Sequence, residues 1–273
     1  MRNLGDKRRI VVKVGTSSLT HPNGRLNLGH MESLVRQLAD LHAEGRDVIL
    51  VTSGAVGAGL GRLGLAERPT DVTGKQALAA VGQGLLMQRY EGLFAEVGVA
   101  VGQILLTGQD VADEERKASA AATIEQLLRW RVVPIVNEND TVTSQEIRVG
   151  DNDTLSALVA VLARADLLLL LSDVDGFYPA DPRRHPELRP LEHVSLADDL
   201  ESAAGGPGST QGTGGMMTKV QAARICGAAG IPVVLASGTQ KGIIGSIIAG
   251  EPVGTLFASS GTGAPAVKEG DRV

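Results

Sequence analysis

Residues 148–171 read RVGDNDTLSALVAVLARADLLLLL. Asp151, Asn152 and Asp153 set three polar acceptors just before a segment whose apolar residues, Leu155, Leu158, Val159 and Leu162, recur at helical spacing. Asp153 or a neighbour therefore stands where an N-cap belongs, and the cluster lies on a loop at a helix start. Leu167–Leu171 then is apolar at every position. A strand that does not alternate is buried on both faces, which points to a parallel sheet covered by helices. A polar turn and a cap would explain the acidic cluster by themselves. It gains weight because other anion-handling features fall at what could be the same sheet edge.

Working outward, strands are expected at Arg9–Val14, Asp47–Thr52, Val99–Leu106, Val132–Val136, Ile231–Leu235 and Gly254–Ala258. Helices are expected at Leu28–Ala43, Lys75–Val97, Asp110–Arg129, Lys219–Ala229 and Gly242–Ala249. This alternation predicts an α/β fold, a mainly parallel open sheet sandwiched between helices in three αβα layers. Glu146–Val149 reads as half of a small hairpin, Pro179–Pro190 as a loop, and Gly205–Gly215 (GGPGSTQGTGG) as a glycine loop. Residues 259–273 form a Gly/Ala/Ser-rich, then charged, tail expected to fray. A break near Ala165–Leu171 divides residues 1–258 into a lobe of about 1–165 for one ligand and of about 166–258 for another. Ligands in such folds bind beyond the carboxyl ends of strands. There stand Gly15–Ser18, Ser53–Gly59, Asn137–Asp140 and Ser172–Gly176.

Composition excludes several classes. Hydrophobic residues make up 43% of the 273, charged residues 21% and aromatics only 2%, so an aliphatic, Ala-rich core is expected. The net charge of −5 and the scarcity of aromatic platforms disfavour nucleic acid as a partner. The single Cys226 allows no intramolecular disulfide and suits a reducing, cytoplasmic setting. No run approaches the roughly 18 apolar residues of a membrane span, and the N-terminus lacks a signal-peptide pattern. The five histidines are scattered, which argues against structural zinc, and no G-x-S-x-G elbow marks a serine hydrolase.

Three features point to a phosphate. Lys13 interrupts an apolar strand two residues before Gly15, where a buried ammonium needs a partner; the bland alternative is a lysine snorkelling at a strand end. Ser53-Gly54-Ala55-Val56-Gly57-Ala58-Gly59 follows a strand and opens a helix, where free amides favour an anion. Gly212–Lys219 sets a glycine loop and a lysine at a helix start. Ser172-Asp173 could touch a nucleotide or merely cap a helix. Asp181 and Arg183-Arg184 read as surface charges. Gly59-Leu60-Gly61-Arg62-Leu63-Gly64 formally matches the dinucleotide fingerprint, but lies seven residues past its strand, and Gly74-Lys75 lacks the rest of a P-loop.

The blocks VVKVGTSSLT, VTSGAVGAGLGRLG, PIVNENDTV, VGDNDTLSA, LLLLSDVDGFYPADPR and GTGGMMTKVQAA, in this order over about residues 9–258, resemble the amino acid kinase family, and within it the glutamate 5-kinase branch. The resemblance implies ATP-dependent phosphorylation of the γ-carboxylate of L-glutamate, with Mg²⁺ on the phosphates. By the family pattern Lys13 and Lys219 neutralise the transferring phosphoryl group and Asp153 orients them. Ser53, Gly54, Asp140 and Asn152 hold glutamate. Lys13, Gly15, Ser172, Asp173 and Thr213, Gly214, Gly215, Met216, Met217, Thr218 and Lys219 hold ATP. A carboxylate nucleophile is already ionised at neutral pH, so no general base is needed. Feedback inhibition by proline and a homodimer or homotetramer are likewise implied.

The sequence departs from the branch in two places. Many members continue into a C-terminal PUA domain where this chain reaches its Gly/Ala-rich tail, and a form lacking that domain is expected. Ser119-Ala120-Ala121 replaces an Asn-Ala-Arg core, putting in doubt an ion pair near the glutamate site or a subunit contact. The alternatives are a kinase of the same fold acting on acetylglutamate, aspartate or UMP, a non-catalytic nucleotide or amino-acid sensor, and a dinucleotide oxidoreductase built on Gly59–Gly64.

Overall fold

The structure is a computed structural model that describes residues 2–143, 151–180, 182, 185, 187–197, 200 and 213–258. The hairpin expected at Glu146–Val149, the start of the glycine loop, Asp181 with Arg183-Arg184, and the tail after residue 258 lie outside the described residues.

Eight strands form one sheet: β1 Arg9–Val14, β2 Asp47–Val51, β3 Val101–Leu106, β4 Val133–Glu138, β5 Leu167–Ser172, β6 His193–Ser195, β7 Val233–Ser237 and β8 Thr255–Ala258. Their order is β3-β4-β2-β1-β5-β7-β8-β6, and every adjacent pair is parallel except β7–β8. The order reverses at β1, which pairs with β2 on one side and β5 on the other. The carboxyl ends of β2, β1 and β5 therefore border the crevice that open α/β sheets use for ligands. One continuous sheet runs through both proposed lobes.

Nine helices are described: α1 Thr16–Leu19, α2 Leu28–Ala43, α3 Ala55–Leu63, α4 Val72–Glu96, α5 Gly108–Ala112, α6 Glu114–Arg129, α7 Asn152–Leu162, α8 Thr213–Ala228 and α9 Ile243–Ile248. They cover both sheet faces, and strand parity says which. Val11, Leu168 and Leu170 belong to a core shared with Leu155, Val159 and Ala223 of α7 and α8. Ile10, Val12, Leu167 and Leu169 belong to the opposite core, with Leu34 and Leu38 of α2 and Leu86 of α4. Lys13 has the parity of Val11, so its side chain emerges on the α7/α8 face.

Some sequence expectations shift. The helix foreseen at Asp110–Arg129 is two, because Asp113 leaves helical backbone and caps α6 by accepting from the Arg116 amide. The three-residue β6 carries too little pattern to be foreseen. The glycine loop reading fails for its last residues: Thr213–Thr218 begin α8, and Met216 and Met217 pack half-buried against the core. The apolar contacts of that first turn outweigh the modest helix penalty of its glycines.

Candidate active site

Asp151 ends the entry to α7 in extended backbone, and its side chain accepts from the amides of Asp153 and Thr154 at 2.8 and 2.9 Å. This cap fixes the first turn and aims Asp153 inward. The Asp153 carboxylate lies 2.6 Å from the Lys13 ammonium on one oxygen and 3.1 Å from the Lys219 ammonium on the other. The Thr218 hydroxyl donates to Asp153 Oδ2 at 2.8 Å, and Lys219 also donates to the Gly215 carbonyl at 2.8 Å. All three ionised groups are buried, with 7%, 4% and 7% of Lys13, Asp153 and Lys219 exposed.

One carboxylate cannot neutralise two ammoniums, so the cluster carries one net positive charge in a low-dielectric setting. Such a charge is costly unless an anion comes to it. Burial pushes the Asp153 carboxyl up, but Lys13 and Lys219 more than offset that and hold it below the usual carboxylate range. It is therefore ionised whenever the protein is folded near neutrality. α8 brings Lys219 to this point because small residues on it, Ala222 and Ala223, are fully buried in the core shared with α7.

A cleft of about 240 Å³ opens next to this cluster, lined by Ser53, Gly54, Asn137, Asp140 and Asn152 among others. Gly54 turns β2 into α3 with φ of +99°, a left-handed conformation that a side chain would strain. The Asn152 amide nitrogen reaches three acceptors: the Thr52 carbonyl at 2.6 Å, Ser53 Oγ at 2.8 Å and Asn137 Oδ1 at 3.0 Å. It has two hydrogens for these three. The three share them, and Ser53, which accepts here, keeps its own O–H as a donor. Ser53 and Asn152 both line the cleft, side by side at its floor. Asn137 in turn donates to Gln83 Oε1 at 2.9 Å. A relay of amides therefore runs from α4 to the cleft floor.

On the other side of β1, Ser172 ends β5, is buried, and donates to Asp173 at 2.9 Å. Its carbonyl accepts from the Gly238 amide at 2.7 Å, which ties the β5 and β7 ends together. Gly15 follows β1 at the same edge. The structure thus joins Lys13, Asp153, Thr218 and Lys219 in one cluster and gathers Ser53, Gly54, Asp140 and Asn152 in one cleft. Ser172, Asp173 and Gly15 stand at adjoining strand ends, and Thr213–Met217 form the first turn of α8. Ser119–Ala121 lie on α6.

Sequence reasoning missed Arg68 and Gln83. Arg68 lines the cleft from the α3–α4 connection, and Gln83 lies within α4. The fingerprint-like glycines have another use. A Cβ on Gly59 would fall 2.0 Å from the Leu78 carbonyl and one on Gly82 1.8 Å from that of Ala55, so these glycines let α3 and α4 touch backbone to backbone. Gly64 ends α3 with φ of +63°.

A net positive buried cluster beside an acid-lined cleft, at the switch point of a parallel sheet, defines a class of phosphoryl-transfer site. Residues 8–237 match the amino acid kinase family, and the chain belongs to it. Its relatives narrow this further. The chain is 69% identical over 254 residues to the glutamate 5-kinase of Symbiobacterium thermophilum, covering 93% of this chain and 97% of that one. It is 52% identical to the glutamate 5-kinase of Clostridium tetani, covering 93% and 96%. It is 53% identical to that of Caldanaerobacter subterraneus subsp. tengcongensis, covering 91% of this chain and 67% of the relative. The UMP kinase of Bacillus anthracis shares the fold, with a TM-score of 0.64 at 15% identity, over 92% of this chain and 96% of that one.

Proposed function

We propose that this chain transfers the γ-phosphoryl group of ATP to the γ-carboxylate of L-glutamate, giving L-glutamyl 5-phosphate, the first step of proline biosynthesis. The observation that carries the reading is the Lys13–Asp153–Lys219 cluster, whose surplus positive charge faces the edge where a phosphoryl group would pass. The names of the relatives, all glutamate 5-kinases at 50% identity or above, support the choice of acceptor.

Phosphoryl transfer needs in-line positioning and charge stabilisation more than covalent help. Lys13 and Lys219 supply the charge, and Asp153 holds their ammoniums in place without taking a proton. Ser53 donates to the substrate, Gly54 lets the backbone approach, and Asp140 pairs with the α-ammonium. Asn152, on the cleft floor, donates to a substrate carboxylate and keeps Ser53 oriented. ATP lies over Gly15, Ser172 and Asp173, with its phosphates toward the first turn of α8, Thr213–Lys219, where helix amides favour an anion. Mg²⁺ fits this site as an ion carried on the phosphates. No group of three or more His, Cys, Asp or Glu that could hold a metal gathers among the described residues, and Mg²⁺ characteristically keeps waters. When bound it would screen phosphate charge. The lobe of residues 1–165 then holds glutamate and that of 166–258 holds ATP. Among the described residues no helix is long and apolar enough to cross a membrane. A cytosolic location, inhibition by proline and a homodimer or homotetramer complete the reading.

The test is a panel of acceptors with ATP and Mg²⁺. Hydroxylamine traps an acyl phosphate as a coloured hydroxamate from glutamate, N-acetylglutamate or aspartate, and ADP release reports on UMP. Hydroxamate from glutamate alone is expected. Turnover with another acceptor, or with none, rejects the reading.

A further inference from the structure

The connection between α3 and α4 is pinned at both ends, by Gly64 in left-handed backbone and by Asp71, whose side chain caps α4 by accepting from the Gly74 amide at 2.7 Å. Between these pins Arg68 reaches the cleft wall. It is the one cation among the described lining residues, which also include three acids, Glu138, Asp140 and Asp151. Asp151 is committed to capping α7, and Glu138 and Asp140 have partners of their own. Among the described residues Arg68 has no hydrogen bond or ion pair, and it is exposed.

An acceptor bearing an α-ammonium, an α-carboxylate and a distal carboxylate meets this cleft in one sensible way. The distal carboxylate points to the lysine cluster and the ammonium to an acid. The α-carboxylate, itself an anion, is then left at the cleft wall, where a cation is its natural partner. A guanidinium presents a planar fork that matches a carboxylate with two hydrogen bonds. We propose that Arg68 is a specificity-determining residue that binds the free α-carboxylate of the acceptor, and so separates an α-amino acid from analogues without that charge. This rests on the glutamate reading above and adds a residue to it.

The test compares wild type, Arg68→Leu and Arg68→Lys in the hydroxamate assay. L-glutamate is set against L-isoglutamine, which keeps the γ-carboxylate but carries a neutral α-carboxamide. A charge-assisted hydrogen-bonded pair in a partly open cleft is worth about 30-fold. Arg68→Leu is expected to raise the KM for glutamate by about that factor while the KM for ATP moves less than twofold, which also reports an intact fold. The kcat/KM ratio of glutamate over isoglutamine is expected to fall by the same factor, and Arg68→Lys to recover part of it. An unchanged KM for glutamate in Arg68→Leu, or an equal loss with both acceptors, overturns the inference alone. No hydroxamate from wild type with glutamate overturns the parent reading, and this inference with it.

Discussion

Replacing Asp153 by Asn keeps the shape of the side chain and removes its charge. The two ammoniums, 2.6 and 3.1 Å from it, then lose their partner while remaining buried. At an effective dielectric near 20, unit charges about 3 Å apart attract by roughly 5 kcal/mol. Much of each attraction only offsets the burial of the ions, so the net cost of breaking a buried pair is about 3–5 kcal/mol. In a chain of this size that lowers the melting temperature by on the order of 10 °C. Stability of a domain is about 5–15 kcal/mol, so the variant should still fold. Turnover should fall on the order of 1000-fold, because the lysines are no longer held in place. Lys219→Met gives the contrast. It leaves a neutral Lys13–Asp153 pair, so it should melt within a few degrees of wild type while losing at least about 100-fold in rate. Thermal melts and hydroxamate rates on the two variants and on their double form the assay, with the double regaining stability but not activity. Wild-type melting and wild-type turnover in Asp153→Asn would refute the reasoning.

The same carboxylate makes an acid limb. Its folded pKa is depressed, so its stabilisation is complete above the unfolded value of about 3.9 and is lost as pH falls through the lower folded value. Resistance to urea should fall below roughly pH 4 in wild type and less steeply in Asp153→Asn. Gln83→Leu should raise the KM for glutamate about tenfold, through loss of the Asn137 anchor, and leave that for ATP unchanged. Gln83→Glu still accepts from Asn137 and should restore most of the affinity. Gly82→Ala places a methyl group against the Ala55 carbonyl, so α3 must move away from α4. A melt should register about 3 kcal/mol or more of destabilisation.

Much of this was legible in the chain. Strands such as LLLLL announce themselves because burial on both faces removes every polar residue, and the one buried exception in β1, Lys13, thereby flags the site. The acidic cluster was legible as a helix start with Asp153 or a neighbour as its cap; the cap is Asp151, and the part expected of Asp153 came from the family resemblance alone. Lys219 was legible only as a residue type near glycines, since its place depends on how α8 lies on α7. Arg68 and Gln83 were not legible. One sits in a connection without periodicity, and the other is a polar residue on a long helix that only tertiary packing turns toward the cleft. The Gly59–Gly64 pattern was readable as glycines but not as helix contact, because the partner backbone, α4, comes from elsewhere in the sequence. The start of α8 misled for a related reason: glycines read as a loop, while Met216 and Met217 find apolar partners that hold the helix.

The most direct test of the central claim follows one oxygen atom. L-glutamate labelled with ¹⁸O in its γ-carboxylate is turned over with ATP in the presence of hydroxylamine, and the released phosphate is examined by mass spectrometry. Attack of the carboxylate on the γ-phosphorus makes a substrate oxygen the bridge, and hydroxylamine then displaces phosphate at the carbonyl carbon. The account predicts one ¹⁸O in each phosphate so released. Unlabelled phosphate at the same rate of ADP formation would mean that water, not the glutamate carboxylate, is the acceptor, and would contradict it.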